Sequence, residues 1–251
     1  MIQKIILIGS GNVATHLGRK IQDSNYDIIQ VISKKKDSAK KLADDINTSF
    51  SNKISNIMPA DLIILAIKDE EIERIIPQLP DNPIVHTSGS IPIKVFEEKF
   101  TNYGVIYPVQ TFNKNIKIKY DIPFCIEANN KNFEKELIKI IQKISSNICI
   151  MNSADRKILH IAAVFACNFS NHMYTIANNL LDKQGIPFSM LLPLIQQTGN
   201  KLKYNTPNNL QTGPAKRQDI KIIKTHMELL KDNEKLKEIY NLISNHIIEN
   251  E

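Results

Sequence analysis

The apolar run Met1-Ile-Gln-Lys-Ile-Ile-Leu-Ile8 breaks abruptly into Gly9-Ser-Gly11-Asn-Val-Ala14. No other junction in the chain constrains the fold as strongly. It predicts a β-strand ending at Ile8, a tight turn at Gly9, and a Gly11 with no Cβ to hold a phosphate away from the backbone. Ala14 is small enough for the next helix to pack close to the strand. That helix, from Asn12 to about Asp23, carries Val13, Leu17 and Ile21 on one face. Its N-terminal N–H groups then point at an anion. Gly9, Ser10, Gly11, Asn12 and Val13 are therefore the expected pyrophosphate cradle. The alternative is a glycine-rich turn in an α/β domain that binds no nucleotide.

Strand and helix patterns alternate through the first part. Strands are expected at Ile2–Ile8, Asp27–Ser33, Ala60–Ile67, Pro83–Thr87, Gly104–Pro108, Ile122–Ala128 and Asn147–Met151, with a short element near Thr48–Ser51. Helices are expected at Ser38–Asp45, Asp69–Ile76, Ile91–Phe100 and Phe133–Ile144. The unbroken apolar stretch Leu62-Ile-Ile-Leu-Ala-Ile67 suits a strand buried on both faces. Such alternation implies a doubly wound, mostly parallel sheet. After Met151 every segment reads as helix: Ser153–Lys183, Pro187–Tyr204, a loop over Asn205–Ala215, and two amphipathic helices beginning near Ile220 and Leu236. Two domains follow, residues 1–151 and 152–251.

The end of the second strand selects the dinucleotide. NAD sites usually place Asp or Glu there for the ribose 2′-hydroxyl, and NADP sites place basic groups. Here the strand ends in Val31-Ile-Ser33-Lys34-Lys35-Lys36. A carboxylate is missing, and a hydroxyl and ammonium groups stand where a 2′-phosphate would lie. A lysine run is otherwise an ordinary solvated surface, and its position is what directs the reading to NADP (NADPH).

Ligands in open α/β sheets bind beyond the carboxyl ends of the strands. Ala66, Ile67 and Lys68 fall there as cofactor contacts, as does Ser88 of His86-Thr-Ser-Gly-Ser90, with Thr87 and Gln110 toward a substrate. The Ser88 cluster equally suits a capped turn. On the long helix, drawn at roughly 100° per residue, His160, Asn168, Asn171, Thr175 and Asn178 share one face. Amides, hydroxyl and imidazole suit a wet cleft, or else a subunit interface. His160 is the candidate proton donor because imidazole ordinarily titrates near neutrality. Asn168 and Asn171 are candidates to orient the acceptor, with Thr175 alongside. Arg217 either clamps an acidic substrate end or is a surface charge beside Asp219, a helix cap.

Bulk properties exclude several classes. The net charge of +6 comes from lysines scattered among acids, with no basic-aromatic module, so no nucleic-acid partner is expected. The stretch Ile158–Leu181 has no Asp, Glu, Lys or Arg, but its His and Asn residues argue against membrane insertion. Three well-separated cysteines form no C-x-x-C pair, so metal and disulfide roles are not expected and a reducing, cytoplasmic setting is. A chain opening directly on a strand predicts no leader segment.

Several motifs occur in one order: Gly9-Ser-Gly-Asn-Val-Ala-Thr-His-Leu-Gly18, His86-Thr-Ser-Gly-Ser90, Tyr107-Pro-Val-Gln-Thr-Phe112, Leu159-His-Ile-Ala-Ala-Val-Phe-Ala-Cys-Asn-Phe-Ser-Asn-His172 and Thr212-Gly-Pro-Ala-Lys-Arg-Gln-Asp219. Over nearly its whole length the chain resembles the bacterial NADP oxidoreductases that join a Rossmann-like domain to a helical domain of unknown function. That family looks like a branch of the superfamily holding pyrroline-5-carboxylate reductase, 6-phosphogluconate dehydrogenase and the β-hydroxyacid dehydrogenases. The resemblance implies a 6-phosphogluconate dehydrogenase C-terminal-like helical domain and homodimers built on it. Two departures shape the expected chemistry. The β-hydroxyacid dehydrogenases carry a Lys four residues before an Asn on the long helix; if Asn168 matches that Asn, the Lys position is Val164. Prephenate dehydrogenases carry His-Pro where this chain has Tyr107-Pro108. An imine or activated carbonyl, which needs no strong base, is easier to reconcile with these residues. The expectation is hydride transfer from NADPH to such a small molecule in a cleft between the domains. The alternative is a sensor or scaffold that binds NADP(H) without turning it over.

Overall fold

The computed structural model describes residues 2–250. By compactness the chain divides into two units, Met1–Met173 and Tyr174–Glu251. The first unit is built on β1 (Lys4–Ile8), α1 (Asn12–Gln22), β2 (Asp27–Ile32), α2 (Lys36–Asp45), β3 (Ser49–Ser51), β4 (Leu62–Leu65), α3 (Asp69–Ile75), β5 (Ile84–His86), β6 (Tyr103–Pro108), β7 (Phe124–Ala128), α4 (Lys131–Ile141), β8 (Ile148–Ile150) and α5 (Ser153–Ala163). A π-helical segment, Val164–Phe169, leads from α5 into α6 (Ser170–Asp182).

The eight strands lie in the order β3-β2-β1-β4-β5-β6-β7-β8. Neighbours are parallel except β6 and β7, which run antiparallel. From β1 the chain first winds outward to β2 and β3, then returns to β4 on the other side. The strand order reverses at β1 and β4, and a crevice opens beyond their carboxyl ends. The apolar runs explain the burial. Ile5, Leu7, Leu62 and Ile64 face α1, α2 and α4, while Ile6, Ile63 and Leu65 face Ile72, Leu79, Phe96 and Phe100. Both faces are covered, so β4 reads as continuous hydrophobics.

Several segments depart from the sequence reading. Ile91–Phe100, expected as a helix, forms only a 3₁₀ turn at Ile93–Phe96. Arg156 donates to the Ile91 carbonyl at 2.6 Å and Ile93 N–H donates to Ser153 Oγ at 3.0 Å. Backbone groups that a helix would use are thus engaged by α5. Within the expected loop Asn205–Ala215, Pro207–Leu210 makes one helical turn, with Pro207 fixing the first φ.

In the second unit, a 3₁₀ turn at Phe188–Leu191 precedes α7 (Leu192–Lys201), followed by α8 (Pro207–Leu210), α9 (Ile220–Leu229) and α10 (Glu234–Glu249). Asp219 caps α9 by accepting from Ile222 N–H, and Asn233 caps α10 by accepting from Leu236 N–H. The two helices share a hydrogen bond between Tyr240 Oη and His226 Nδ1 at 2.8 Å.

The antiparallel β6 and β7 approach closely beside α4. A Cβ on Gly104 would lie 2.4 Å from the Glu127 carbonyl oxygen and 3.0 Å from Leu137 Cδ1. Gly104→Ala is therefore expected to cost about 2–3 kcal/mol of folding free energy. Urea denaturation followed by circular dichroism checks this, with an unchanged midpoint as the contrary result.

Candidate functional site

A cavity of about 1130 Å³ lies over the carboxyl ends of the central strands. Its middle is the turn after β1. Gly9 adopts φ +128°, and a Cβ there would stand 2.1 Å from the Ala66 carbonyl oxygen. Only glycine fits. Gly11 is the opposite case, with nothing within 4 Å of a Cβ position. No side chain caps α1 at Gly11, so its first N–H groups are not taken up by a cap and can receive an anion. Ser10 Oγ donates to Ser33 Oγ at 2.8 Å, tying this turn to the end of β2. An open glycine, uncapped amides and a nearby basic corner fit a dinucleotide pyrophosphate.

One end of the cavity holds that corner. Ser33, Lys34, Lys35 and Ser38 line it with Asn52, Lys53 and Ile54 beyond β3, and with Glu71, Arg74, Ile75 and Gln78 from α3 and the turn after it. Lys34 Nζ forms a short ion pair with Glu71, whose other oxygen lies 3.4 Å from Arg74 Nη1. The hydrogen bond from Lys34 holds the Glu71 carboxyl below its usual range.

At the other end stand Thr87, Ser88, Gly89, Tyr107, Pro108, Gln110 and His160. Tyr107 Oη and His160 Nδ1 are 3.0 Å apart, with the rings edge to face. Burial raises the Tyr107 pKa above its ordinary value, so the phenol stays protonated. Gly89 backs this pair, since a Cβ there would meet His160 Cγ and Nδ1 at 2.7 Å. Ser88 Oγ accepts from the Ser90 and Ile91 N–H groups. It therefore caps the turn and lines the cavity at once.

His160 is held in place from below. Ser153 donates to Glu127 through its N–H at 3.0 Å and its Oγ at 2.7 Å. Arg156, 1 % exposed, pairs with the same carboxylate and donates to Ile91 O. The start of α5 is thus bolted to β7 and to the segment carrying Gly89, and His160 follows one turn later. His86, wholly buried, accepts from Ser88 N–H through Nδ1 at 3.2 Å. Burial, then the Arg156 charge, lowers its pKa to about 3.

The cavity gathers every residue expected to contact cofactor: Gly9, Ser10, Gly11, Asn12, Val13, Ser33, Lys34, Lys35, Ala66, Ile67, Lys68 and Ser88, together with Thr87, Gln110 and His160. Asn168 and Asn171 are exposed and outside its lining. The π segment explains the broken stripe: one inserted residue turns everything beyond it by roughly 100°, so a face drawn at uniform pitch from His160 does not continue. Thr175 and Arg217 belong to the second unit, where both are exposed. Sequence reasoning missed Tyr107 as the partner of His160, and also Asn52–Ile54 and Glu71–Gln78. The rule that found Ala66–Lys68, that loops after parallel strands join the crevice, also reaches Asn52–Ile54. Nothing along the chain marks the Tyr107 contact. Among the described residues there is no cluster of metal-ligating side chains, and no helix is long and apolar enough to cross a membrane. The three cysteines are free.

Residues 4–88 match the family model described as NADP oxidoreductase coenzyme F420-dependent, and residues 122–247 match Domain of unknown function (DUF2520). Among solved structures, the "putative NADP oxidoreductase BF3122" from Bacteroides fragilis is 38% identical, with a TM-score of 0.92 over 99% of this chain and 98% of that one. A 1-pyrroline-5-carboxylate reductase from Streptococcus pyogenes shares 16% identity, covering 98% and 97% of the two chains with a TM-score of 0.66. A reductive aminase from Aspergillus terreus, in complex with NADPH and ethyl levulinate, shares 12%, covering 99% and 95% with a TM-score of 0.73. The last two are likenesses of fold. No curated protein matches the chain.

The depressed His86 pKa has a signed consequence. The unfolded chain binds a proton near pH 6.5 and the folded chain only near 3. The His86 contribution is therefore complete above pH 6.5 and is lost on acidification, at about 1.4 kcal/mol per pH unit. Denaturant titrations at pH 4.5 and 7.5 should show a larger acid loss in the wild type than in His86→Gln. Equal losses would contradict it.

Proposed function

Because this chain belongs to the NADP oxidoreductase family that carries the DUF2520 domain, we propose that it reduces a small imine or carbonyl compound with NADPH. One observation carries the reading. A single cavity has a glycine turn and basic corner at one end and a hydrogen-bonded Tyr107–His160 pair at the other.

Gly9–Val13 and Ser33–Lys35 would hold NADPH, which would supply the hydride. The chain's own residues supply the rest. Reduction adds a hydride to carbon and a proton to nitrogen or oxygen. His160, hydrogen-bonded through Nδ1 to Tyr107 Oη, would give a proton from its protonated ring to the reduced heteroatom, leaving a neutral imidazole that solvent reprotonates. Thr87, Ser88 and Gln110 bind and orient the acceptor, and Asn168 and Asn171 belong to the same reading as polar groups farther along the helix. An iminium carries its proton already, so Val164, which takes the place of the alcohol-oxidising enzymes' Lys if Asn168 matches their Asn, is no obstacle. The reductive aminase and pyrroline-5-carboxylate reductase likenesses favour this substrate class. We place the reaction in the cytoplasm, where thiols stay reduced.

We also infer a homodimer through the C-terminal helices. In the second unit Leu229 is 78% exposed, Leu242 71% and Met190 69%, apolar side chains that a partner would cover. Sedimentation equilibrium should give twice the 28.6 kDa chain mass, and a monomer in Leu229→Glu combined with Leu242→Glu. A monomeric wild type overturns this.

Steady-state oxidation of NADPH with a panel of cyclic imines and 2-oxo acids tests the chemistry. His160→Ala should lower kcat about 100-fold or more, and Tyr107→Phe about 10-fold, with NADPH affinity held within about 2-fold. Tight NADPH binding without turnover across the panel favours the alternative, a sensor or scaffold. Turnover unaffected by His160→Ala removes its role as donor.

A further inference from the structure

We propose that Glu71 is a built-in competitor for the 2′-phosphate of NADPH, a carboxylate that holds Lys34 in the free protein and yields it when that cofactor, but not NADH, occupies the cavity. The inference deepens the dinucleotide reading of the cavity and rests on it.

Lys34 follows β2 and Glu71 sits on α3, beyond β4, while β1 lies between those strands in the sheet. The ion pair therefore reaches over the strand end that carries the glycine turn. Both residues line the cavity. The partners differ in freedom. The Lys34 side chain is 82% exposed and can swing without disturbing packing. Glu71 is 25% exposed, on a helix anchored by the buried Ile72 beside it, and a second cation, Arg74, contacts its other oxygen. On binding, the lysine moves and the carboxylate stays.

Charge decides which ligand takes the lysine. A phosphate monoester carries about −1.5 to −2 at neutral pH and three acceptor oxygens, against −1 and two for a carboxylate. It outcompetes Glu71. The ribose 2′-hydroxyl of NADH is neutral, so Lys34 remains with Glu71. Glu71 thus weakens NADPH binding selectively, and it is a residue that sets the preference between the two cofactors. A pair that merely ties α3 to β2 would affect both nucleotides alike.

Titration calorimetry at about 0.15 M ionic strength, where longer-range repulsion is screened, separates these. The proteins are wild type, Glu71→Gln, Lys34→Ala and the double variant; the probes are NADPH and NADH. Glu71→Gln should tighten NADPH by about 5-fold and change NADH by less than about 2-fold. Lys34→Ala should weaken NADPH by about 10-fold, and in its background the gain from Glu71→Gln should disappear. Equal effects on the two nucleotides, no effect, weaker NADPH binding, or a gain that survives in the double variant would each overturn the competitor role while leaving the cofactor reading intact. Binding of neither nucleotide by the wild type would overturn both.

Discussion

The carbonyl oxygen of Ala66 stands where a side chain at residue 9 would begin, 2.1 Å from that Cβ position. This close approach joins the ends of β1 and β4 at the point where strand order reverses, and the rest of the site depends on it. With any other residue at position 9, the turn would lift from the sheet and carry the start of α1 with it. The uncapped N–H groups of α1, the Ser10–Ser33 hydrogen bond and the basic corner would then lose their common focus. One missing methyl group holds these elements in register.

A second constraint operates at the other end of the cavity. Burying Arg156 is costly unless its charge is matched and its hydrogens are used. Glu127 matches the charge, and Glu127, Ser153 Oγ and the Ile91 carbonyl take up hydrogens of Nη1 and Nη2, while Nε has no hydrogen-bond partner. This polar bolt fixes α5 against β7 and draws the Gly89 segment under His160. The same guanidinium adds to the burial that keeps His86 neutral. Structural and chemical roles converge, because the charge that anchors the helix also sets the electrostatics beneath the proton-bearing pair.

Between these ends, the cavity is chemically graded. Cations and the Glu71 carboxylate mark one end, whereas hydroxyls, an imidazole and a phenol mark the other.

How much of this was legible beforehand follows from the range of the interactions. Strand β4, the glycine turn and the lysines after β2 were readable because burial on both faces, positive φ and strand-end position are local properties that leave marks in consecutive residues. The 3₁₀ turn at Ile93–Phe96 was not, because the groups that capture its backbone lie sixty or more residues away, on Ser153 and Arg156. The π segment was not, because a one-residue change of helical phase has no compositional sign. The sequence by itself determined the α/β order, the glycine turn after β1 and the lysines that follow β2. Only the tertiary structure decided that Tyr107 meets His160, fifty-three positions apart, and that Glu71 holds Lys34. Pairing across distant strands and helices is set by topology and packing, which no local pattern of residues encodes.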